Sequence, residues 1–175
     1  MITISPGHWA VGSGAIGIID EVAEARKVVS RVVSILKKNK IVVQEVQDNQ
    51  SQNQKQNLRY LIHQHNSTDR RLDVSVHFNS VAKRINHPLG CEVYYVNPSI
   101  KSFAQQVSAA IASAGKLKNR GAKRTTDFAF LNKTTKPALL IEVCFVNSSQ
   151  DVRLYQKNYK AICEAIANTL RQYVK

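Results

Sequence analysis

Four polar residues stand at places in the sequence where they could do chemistry together. His8 follows a short β-rich run in Ser-Pro-Gly-His, and His77 lies near the end of another in Ser-Val-His-Phe-Asn. Glu142 lies inside the apolar run ALLIEVCFV, and Glu21 opens a long helical pattern. Two imidazoles and one carboxylate with an open fourth position form a catalytic zinc set, and a further carboxylate is needed to take a proton from water. These residue types therefore fit a mononuclear zinc hydrolase.

Each of the four residues also has an ordinary structural interpretation. Glu142 is the most unusual, because a carboxylate among aliphatic neighbours is costly to bury unless it is paired, metal-linked or functional. Its structural alternative is a salt bridge to a basic residue. His77 shares a strand face with Ser75 and would need a polar partner in a core. His8 could be a loop histidine, and Glu21 could be one of the acids common in the first turn of a helix.

Strand-like and helix-like segments alternate along the chain, and this order predicts what holds the four residues in place. The pattern favours an α/β fold with a single central, mostly parallel, twisted sheet of about six strands and helices on both faces. Ligands of such sheets gather beyond the carboxyl ends of the strands, where His8 and His77 stand. Strands are predicted at 1–5, 41–46, 72–78, 90–96 and 138–146. Helices are predicted at 20–38 with Asp20 as N-cap, 57–66, 101–114 and 152–174, with a loop over 47–56.

Composition limits the class of protein further. The 175 residues suit one domain, 1–175, and no apolar run approaches the roughly 20 residues of a membrane span. Twenty-five Lys and Arg against 12 Asp and Glu give a net charge of +13, which favours anionic partners such as nucleic acid or a bacterial wall. Three widely spaced cysteines do not form a disulfide framework.

Six short motifs carry a family resemblance. They are, in chain order, Pro-Gly-His after the first strand, Asp-Glu at 20–21, Ser-Val-His-Phe-Asn at 75–79, Gly-Cys-Glu-Val-Tyr-Tyr at 90–95, Asn-Arg-Gly at 119–121 and Pro-Ala-Leu-Leu-Ile-Glu-Val at 137–143. The sequence resembles the zinc-dependent N-acetylmuramoyl-L-alanine amidases of the amidase-3 type, found in bacterial autolysins and phage endolysins. The phage-lysin branch is the most similar, and the resemblance covers a catalytic domain without a wall-binding module.

The resemblance implies a role for each of the four residues. His8, Glu21 and His77 would hold one zinc ion per chain. Glu142 would take the proton of the attacking water and return it to the departing L-alanine amine. The substrate would be peptidoglycan, cut at the amide bond between N-acetylmuramic acid and the L-alanine of the stem peptide.

Some assignments stay open at this point. Glu24 lies one helical turn from Glu21 and could compete with it as a ligand. Asn79 and Arg120 are candidates for substrate or supporting contacts, although turn chemistry explains them equally well. The remaining histidines are predicted to lie at the surface: His63, His65 and His87.

Three rival functions compete with the amidase hypothesis. A nucleic-acid binder fits the charge, but aromatic residues make up only 7% and do not interleave with basic ones. A cysteine amidase or endopeptidase would act through Cys91 or Cys144. A wall-binding domain without activity is the third.

The resemblance also suggests where the protein acts and with what. We expect a monomer that binds peptidoglycan, and anionic wall polymers through its basic surface, but neither nucleic acid nor membrane. The N-terminus lacks a basic start followed by an apolar stretch. We therefore expect synthesis in the bacterial cytoplasm and action on the wall after release.

Overall fold

The alternation of strands and helices produces one six-stranded sheet in the computed structural model, which describes residues 1–174. The strands are β1 Ile2–Pro6, β2 Val43–Glu45, β3 Leu72–Asn79, β4 Cys91–Tyr95, β5 Asn119–Arg124 and β6 Ala138–Phe145. Their order is β2-β1-β3-β6-β4-β5, and every neighbouring pair is parallel except β4 with β6. The predicted α/β fold with a mostly parallel sheet of about six strands is confirmed.

Helices cover both faces of this sheet, but unequally. The helices are α1 Glu21–Lys38, α2 Gln54–Asn66, α3 Lys101–Gly115, α4 Ala129–Lys133 and α5 Ser149–Val174. The long helices α1, α3 and α5 pack with the sheet around the main hydrophobic core. The shorter α2 and α4 lie on the opposite face, where a small cluster around Phe130 and Leu140 joins them to β6.

The alternation of side chains along the central strands decides which face carries the polar residues. Val76 of β3 and Ile141 of β6 are fully buried in the main core. Their neighbours His77 and Glu142 therefore point to the opposite face, towards α2 and α4. One face of the sheet thus holds the fold together, and the thinly covered face presents the polar residues.

Most predicted elements are present, with three differences. The strand β5 was not predicted, because its sequence NRGAKR is polar; it is an edge strand that pairs only with β4 and so needs no apolar face. The helix α2 begins at Gln54, inside the predicted loop, because Asn53 Oδ1 accepts a hydrogen bond from the Gln56 N–H at 3.0 Å. The short helix α4 was also not predicted.

Other predictions of local structure hold. Asp20 is the N-cap of α1, and its Oδ1 accepts from the Ala23 N–H at 2.8 Å. All three cysteines are buried and none forms a disulfide. Within residues 1–174, no helix is both long enough and apolar enough to cross a membrane.

Candidate active site

Three side chains from separate elements meet at the carboxyl end of the sheet. His8 follows β1, His77 lies near the end of β3, and Glu21 is the first residue of α1. Glu21 Oε1 lies 3.2 Å from His8 Nε2 and 3.0 Å from His77 Nδ1. One potential ligand atom from each residue lies within 4.8 Å of the other two. The structure thus brings together the three residues that the family resemblance implies as metal ligands.

Glu21 is held in place by backbone groups as well as by the histidines. Its Oε2 accepts from the Ala15 N–H at 2.7 Å, and its Oε1 accepts from the Phe78 N–H at 3.1 Å. Burial alone would raise the pKa of Glu21, but hydrogen bonds and electrostatic attraction from His77 and His8 outweigh it. The pKa therefore lies well below its usual range, and the side chain is an anion suited to a metal cation.

His77 is positioned by a small residue of its own strand and by one that follows β1. His77 Nε2 lies 3.0 Å from Ser75 Oγ, on the same face of β3. A Cβ atom placed on Gly7 would lie 1.8 Å from His77 Cε1, so only glycine leaves room for this ring. The rings of His8 and His77 meet edge to face, with centroids 5.1 Å apart. The Pro-Gly-His sequence therefore supplies both one histidine and the space for the other.

Glu142 lies beside this cluster but makes a different set of contacts. It is the direct neighbour of His77 in the β3–β6 register and of Glu92 in the β6–β4 register. It is 8% exposed and, within residues 1–174, forms no ion pair, so the salt bridge considered from the sequence is absent. Burial, with repulsion from Glu21 and Glu92, holds the pKa of Glu142 well above its usual range. A carboxyl group with a raised pKa can both accept and return a proton near neutral pH.

The donor set of the cluster fits a zinc ion. Two imidazole nitrogens and one carboxylate oxygen are ligands that zinc takes in catalytic sites. His8 Nδ1 and Glu142 Oε2 are buried without a hydrogen-bond partner in the described part of the chain. Unsatisfied buried polar atoms are rare in folded proteins and need an explanation, of which a catalytic role or a bound ion is one. Their position at the cluster is consistent with an ion and its polar ligands.

Glu24 and the two candidate cysteines do not belong to the cluster. Glu24 accepts from the Tyr155 hydroxyl at 2.8 Å and from Lys27 Nζ at 2.7 Å, and it is not part of the cluster. Burial raises the pKa of the Cys91 thiol to about 12 and that of Cys144 well above its usual range. Neither cysteine is therefore a thiolate nucleophile at neutral pH.

A second buried carboxylate, Glu92, was not assigned a role from the sequence. It is 1% exposed and accepts from four side chains. Asn79 Nδ2 donates at 2.7 Å, the Tyr94 hydroxyl at 2.8 Å and Arg120 Nε at 2.5 Å, and Lys123 Nζ is the fourth donor. Asn79 and Arg120 thus have a structural partner. The sequence did contain a signal for this residue, since Glu92 is the only acid in the predicted strand GCEVYYV. A buried and functional carboxylate could have been predicted there by the argument used for Glu142.

The prediction that His65 lies at the surface is wrong. Its ring is fully buried, with Nδ1 2.8 Å from Asp73 Oδ1 and Nε2 3.1 Å from Ser5 Oγ. Burial lowers the pKa of His65 more than Asp73 raises it, so the imidazole is neutral. Arg70 donates from Nε and Nη2 to the two oxygens of Asp73, both at 2.8 Å. The other two histidines are exposed as predicted: His63 and His87.

A cleft of about 330 Å³ opens over the cluster. His8, His77 and Glu142 form part of its lining, while Leu58 of α2 and Phe130 of α4 contribute apolar walls. The sheet therefore supplies the reactive groups and the two short helices shape the entrance.

An α/β sheet that places a His–Glu–His cluster beside an unpaired carboxylate suits a metal-dependent hydrolase. Residues 2–172 match the model of the family described as N-acetylmuramoyl-L-alanine amidase, Amidase_3. The chain belongs to this family.

The chain is also similar to known proteins and to solved structures. The chain is 31% identical over 176 aligned residues to a 38.4 kDa protein of Clostridium perfringens, across 94% of this chain and 51% of that protein. It thus spans about half the length of the curated relatives it matches.

Among solved structures, the catalytic domain of CwlV, an N-acetylmuramoyl-L-alanine amidase from Bacillus (Paenibacillus) polymyxa, is 27% identical with a TM-score of 0.80, covering 99% of this chain and 97% of that one. The catalytic domain of an endolysin targeting Clostridia difficile shares the fold, at 22% identity and a TM-score of 0.84, over 98% and 96% of the two chains.

Proposed function

We propose that residues 1–175 form the catalytic domain of a zinc-dependent N-acetylmuramoyl-L-alanine amidase. It cleaves peptidoglycan at the amide bond between the lactyl group of N-acetylmuramic acid and the L-alanine of the stem peptide. The observation that carries this proposal is the convergence of His8, Glu21 and His77 within 4.8 Å beside the unpaired carboxyl group of Glu142. Family membership supports the choice of substrate and bond.

The ligands of the ion are His8, Glu21 and His77. A zinc ion held there supplies a Lewis acid, which makes water nucleophilic near neutral pH and polarises the carbonyl under attack. Glu21 contributes the negative charge of the set, since its pKa is low and two backbone N–H groups orient its oxygens. Gly7 and Ser75 keep the ring of His77 in its position.

Glu142 moves the proton. Glu142 lines the cleft, and one oxygen of its carboxylate accepts a proton from the attacking water molecule. The same oxygen then donates that proton to the nitrogen of the departing L-alanine, so that a neutral amine leaves. The raised pKa of Glu142 favours the first step, because it makes the buried carboxylate a stronger base towards the water molecule.

The mechanism is tested by separating metal binding from proton transfer. Glu142→Gln should keep the zinc content of the wild type but release new L-alanine amino groups from purified peptidoglycan about 10²–10⁴-fold more slowly. His77→Ala should lose the zinc as well as the activity. An active Glu142→Gln variant, or wild-type activity that survives removal of metal by a chelator, would overturn the assignment.

The positive net charge of the chain suits an enzyme that acts on the bacterial cell wall. The protein acts as a monomer, made in the bacterial cytoplasm and active after release, and its net charge of +13 attracts it to anionic wall polymers. Its lytic rate on whole walls should therefore fall as salt is added, while its rate on a small uncharged substrate stays constant. Equal salt dependence on both substrates would contradict this role of the charge.

A further inference from the structure

A second groove continues from the catalytic cleft. It has a volume of about 740 Å³ and runs along α2, with α4 forming its other wall. Three residues line both the groove and the cleft, namely Gln54, Leu58 and Ala129. A molecule whose reacting bond lies at the cluster can therefore extend into the groove without leaving the surface.

The rim of the groove is positively charged. Lys55 and Arg59 stand one turn apart on α2, about 6 Å along the helix axis, and Lys133 ends α4 on the other side. All three side chains are exposed, and the groove lining contains no carboxylate. In the described residues, the ion pairs involve none of these three cations. They are thus available to an anionic ligand.

The floor of the groove is apolar and its length is defined. The half-buried side chains of Leu58, Ile62 and Ala129 form this floor. The lining runs along α2 from Gln54 to Asn66, which is about 18 Å at the helical rise of 1.5 Å per residue. An extended peptide rises about 3.3 Å per residue, so the groove accommodates about five residues.

We propose that this groove binds the stem peptide of the substrate, with its carboxylates on Lys55 and Arg59 and its small side chains on the apolar floor. The proposal rests on the function proposed above, since it places the departing L-alanine at the cleft and the following residues along α2. An extended acidic peptide with small side chains matches the charge, the floor and the length. A glycan strand has no need of three cations and an apolar floor.

A charge-reversal variant tests the proposal. Lys55→Glu with Arg59→Glu is compared with a control, Lys37→Glu with Lys38→Glu, which makes the same change in net charge at the exposed end of α1. Two soluble muramyl-peptide substrates of equal length are used, one with free stem carboxylates and one with those carboxylates amidated. The groove variant should raise KM for the acidic substrate about tenfold, raise it much less for the amidated one, and leave kcat nearly unchanged.

Two results would overturn the proposal. One is an equal loss on both substrates, and the other is an equal loss in the control variant, which would show a general effect of charge. A direct binding measurement separates this proposal from the proposed function, because it needs no turnover. A fluorescently labelled acidic stem peptide should bind the wild type and Glu142→Gln equally, and the groove variant about tenfold more weakly.

The combined outcomes are distinguishable. If the wild type hydrolyses no muramyl peptide but binds the labelled peptide through Lys55 and Arg59, the proposed function fails and the groove assignment stands. If hydrolysis is normal but the groove variant binds the peptide as tightly as the wild type, the groove assignment fails alone. Preferential binding of peptide-free glycan strands in the groove would also overturn it.

Discussion

Replacing Glu142 by glutamine should make the folded protein more stable, although the change removes the proposed catalytic base. The carboxyl group is 8% exposed, its Oε2 has no partner in the described chain, and Glu21 and Glu92 repel its ionised form. The amide has nearly the same shape and carries no charge. Because glutamine cannot ionise, the variant avoids the free energy needed to protonate Glu142 on folding, which is about 1.4 kcal/mol for each unit by which folding raises the pKa. The free energy of unfolding should therefore rise by about 1–3 kcal/mol at pH 7 to 8.

The pH dependence of this gain has a definite sign. Because the pKa of Glu142 is raised on folding, the wild type loses stability as the pH rises above the usual glutamate value near 4.5. Below that value both variants are neutral at this position and should be equally stable. As the pH rises further, the difference in unfolding free energy between Glu142→Gln and the wild type should grow by up to about 1.4 kcal/mol per pH unit, until the carboxyl group of the folded protein ionises.

Thermal unfolding with a chelator present measures the effect without a contribution from metal. For a chain of this length, 1 kcal/mol shifts Tm by about 2–4 °C, so Glu142→Gln should raise Tm by about 2–12 °C. Glu92→Gln is the matched control, because this carboxylate is also buried but accepts from four donors, including Arg120 and Lys123. The free energy of unfolding of Glu92→Gln should instead fall by about 1.5–3 kcal/mol, because its charged hydrogen bonds are lost. Destabilisation of both variants by a similar amount would refute the reasoning.

Three further predictions concern a buried ion pair, the position of His77 and the reactivity of the cysteines. Arg70→Ala should lower the free energy of unfolding by about 3–5 kcal/mol in urea titrations, because it leaves the buried Asp73 without its bidentate partner; a loss under 1 kcal/mol would contradict this. Gly7→Ala should weaken zinc binding about 10–100-fold in calorimetry with an unchanged far-UV spectrum, because the new methyl group displaces His77; unchanged affinity would contradict the proposed ligand geometry. Iodoacetamide at pH 7.5 should modify the three buried thiols only slowly and leave activity intact, and rapid modification with loss of activity would revive the cysteine mechanism.

Much of the fold could be predicted because its signals are local. The helix α1 shows both an N-cap and a helical apolar period, and β6 is the most apolar run in the chain. The edge strand β5 carries no such signal, since its ladder uses backbone groups and its side chains are mostly exposed or half-buried. Pairing with β4 selects its conformation, and this depends on the tertiary structure.

The candidate site could be predicted from the sequence for a different reason. A parallel sheet brings the residues that follow its strands to one edge, so His8 and His77 could be expected to meet without knowledge of their exact contacts. The choice between Glu21 and Glu24 needed the structure, because both lie in the first turn of α1 and only their partners distinguish them.

His65 could not be placed from its own helix alone. A histidine flanked by Gln64 and Asn66 is typical of a surface, and its burial depends on Asp73 and Ser5 from two strands. The alternation of Asp73 with apolar residues in LDVSVHF shows a polar face on β3, but not which side chain covers it. Partners on other elements thus determine the burial of this imidazole, and the burial keeps it neutral.

The most direct test of the proposed activity identifies the bond that is cut. The zinc-loaded protein is incubated with a purified muropeptide of known structure, and the products are analysed by mass spectrometry. We predict a saccharide that ends in a free lactyl carboxylate and a stem peptide with a free N-terminal L-alanine, both of which form about 10²–10⁴-fold more slowly with Glu142→Gln. Cleavage between two sugars or within the peptide, or the same products from the variant at the wild-type rate, would contradict the account.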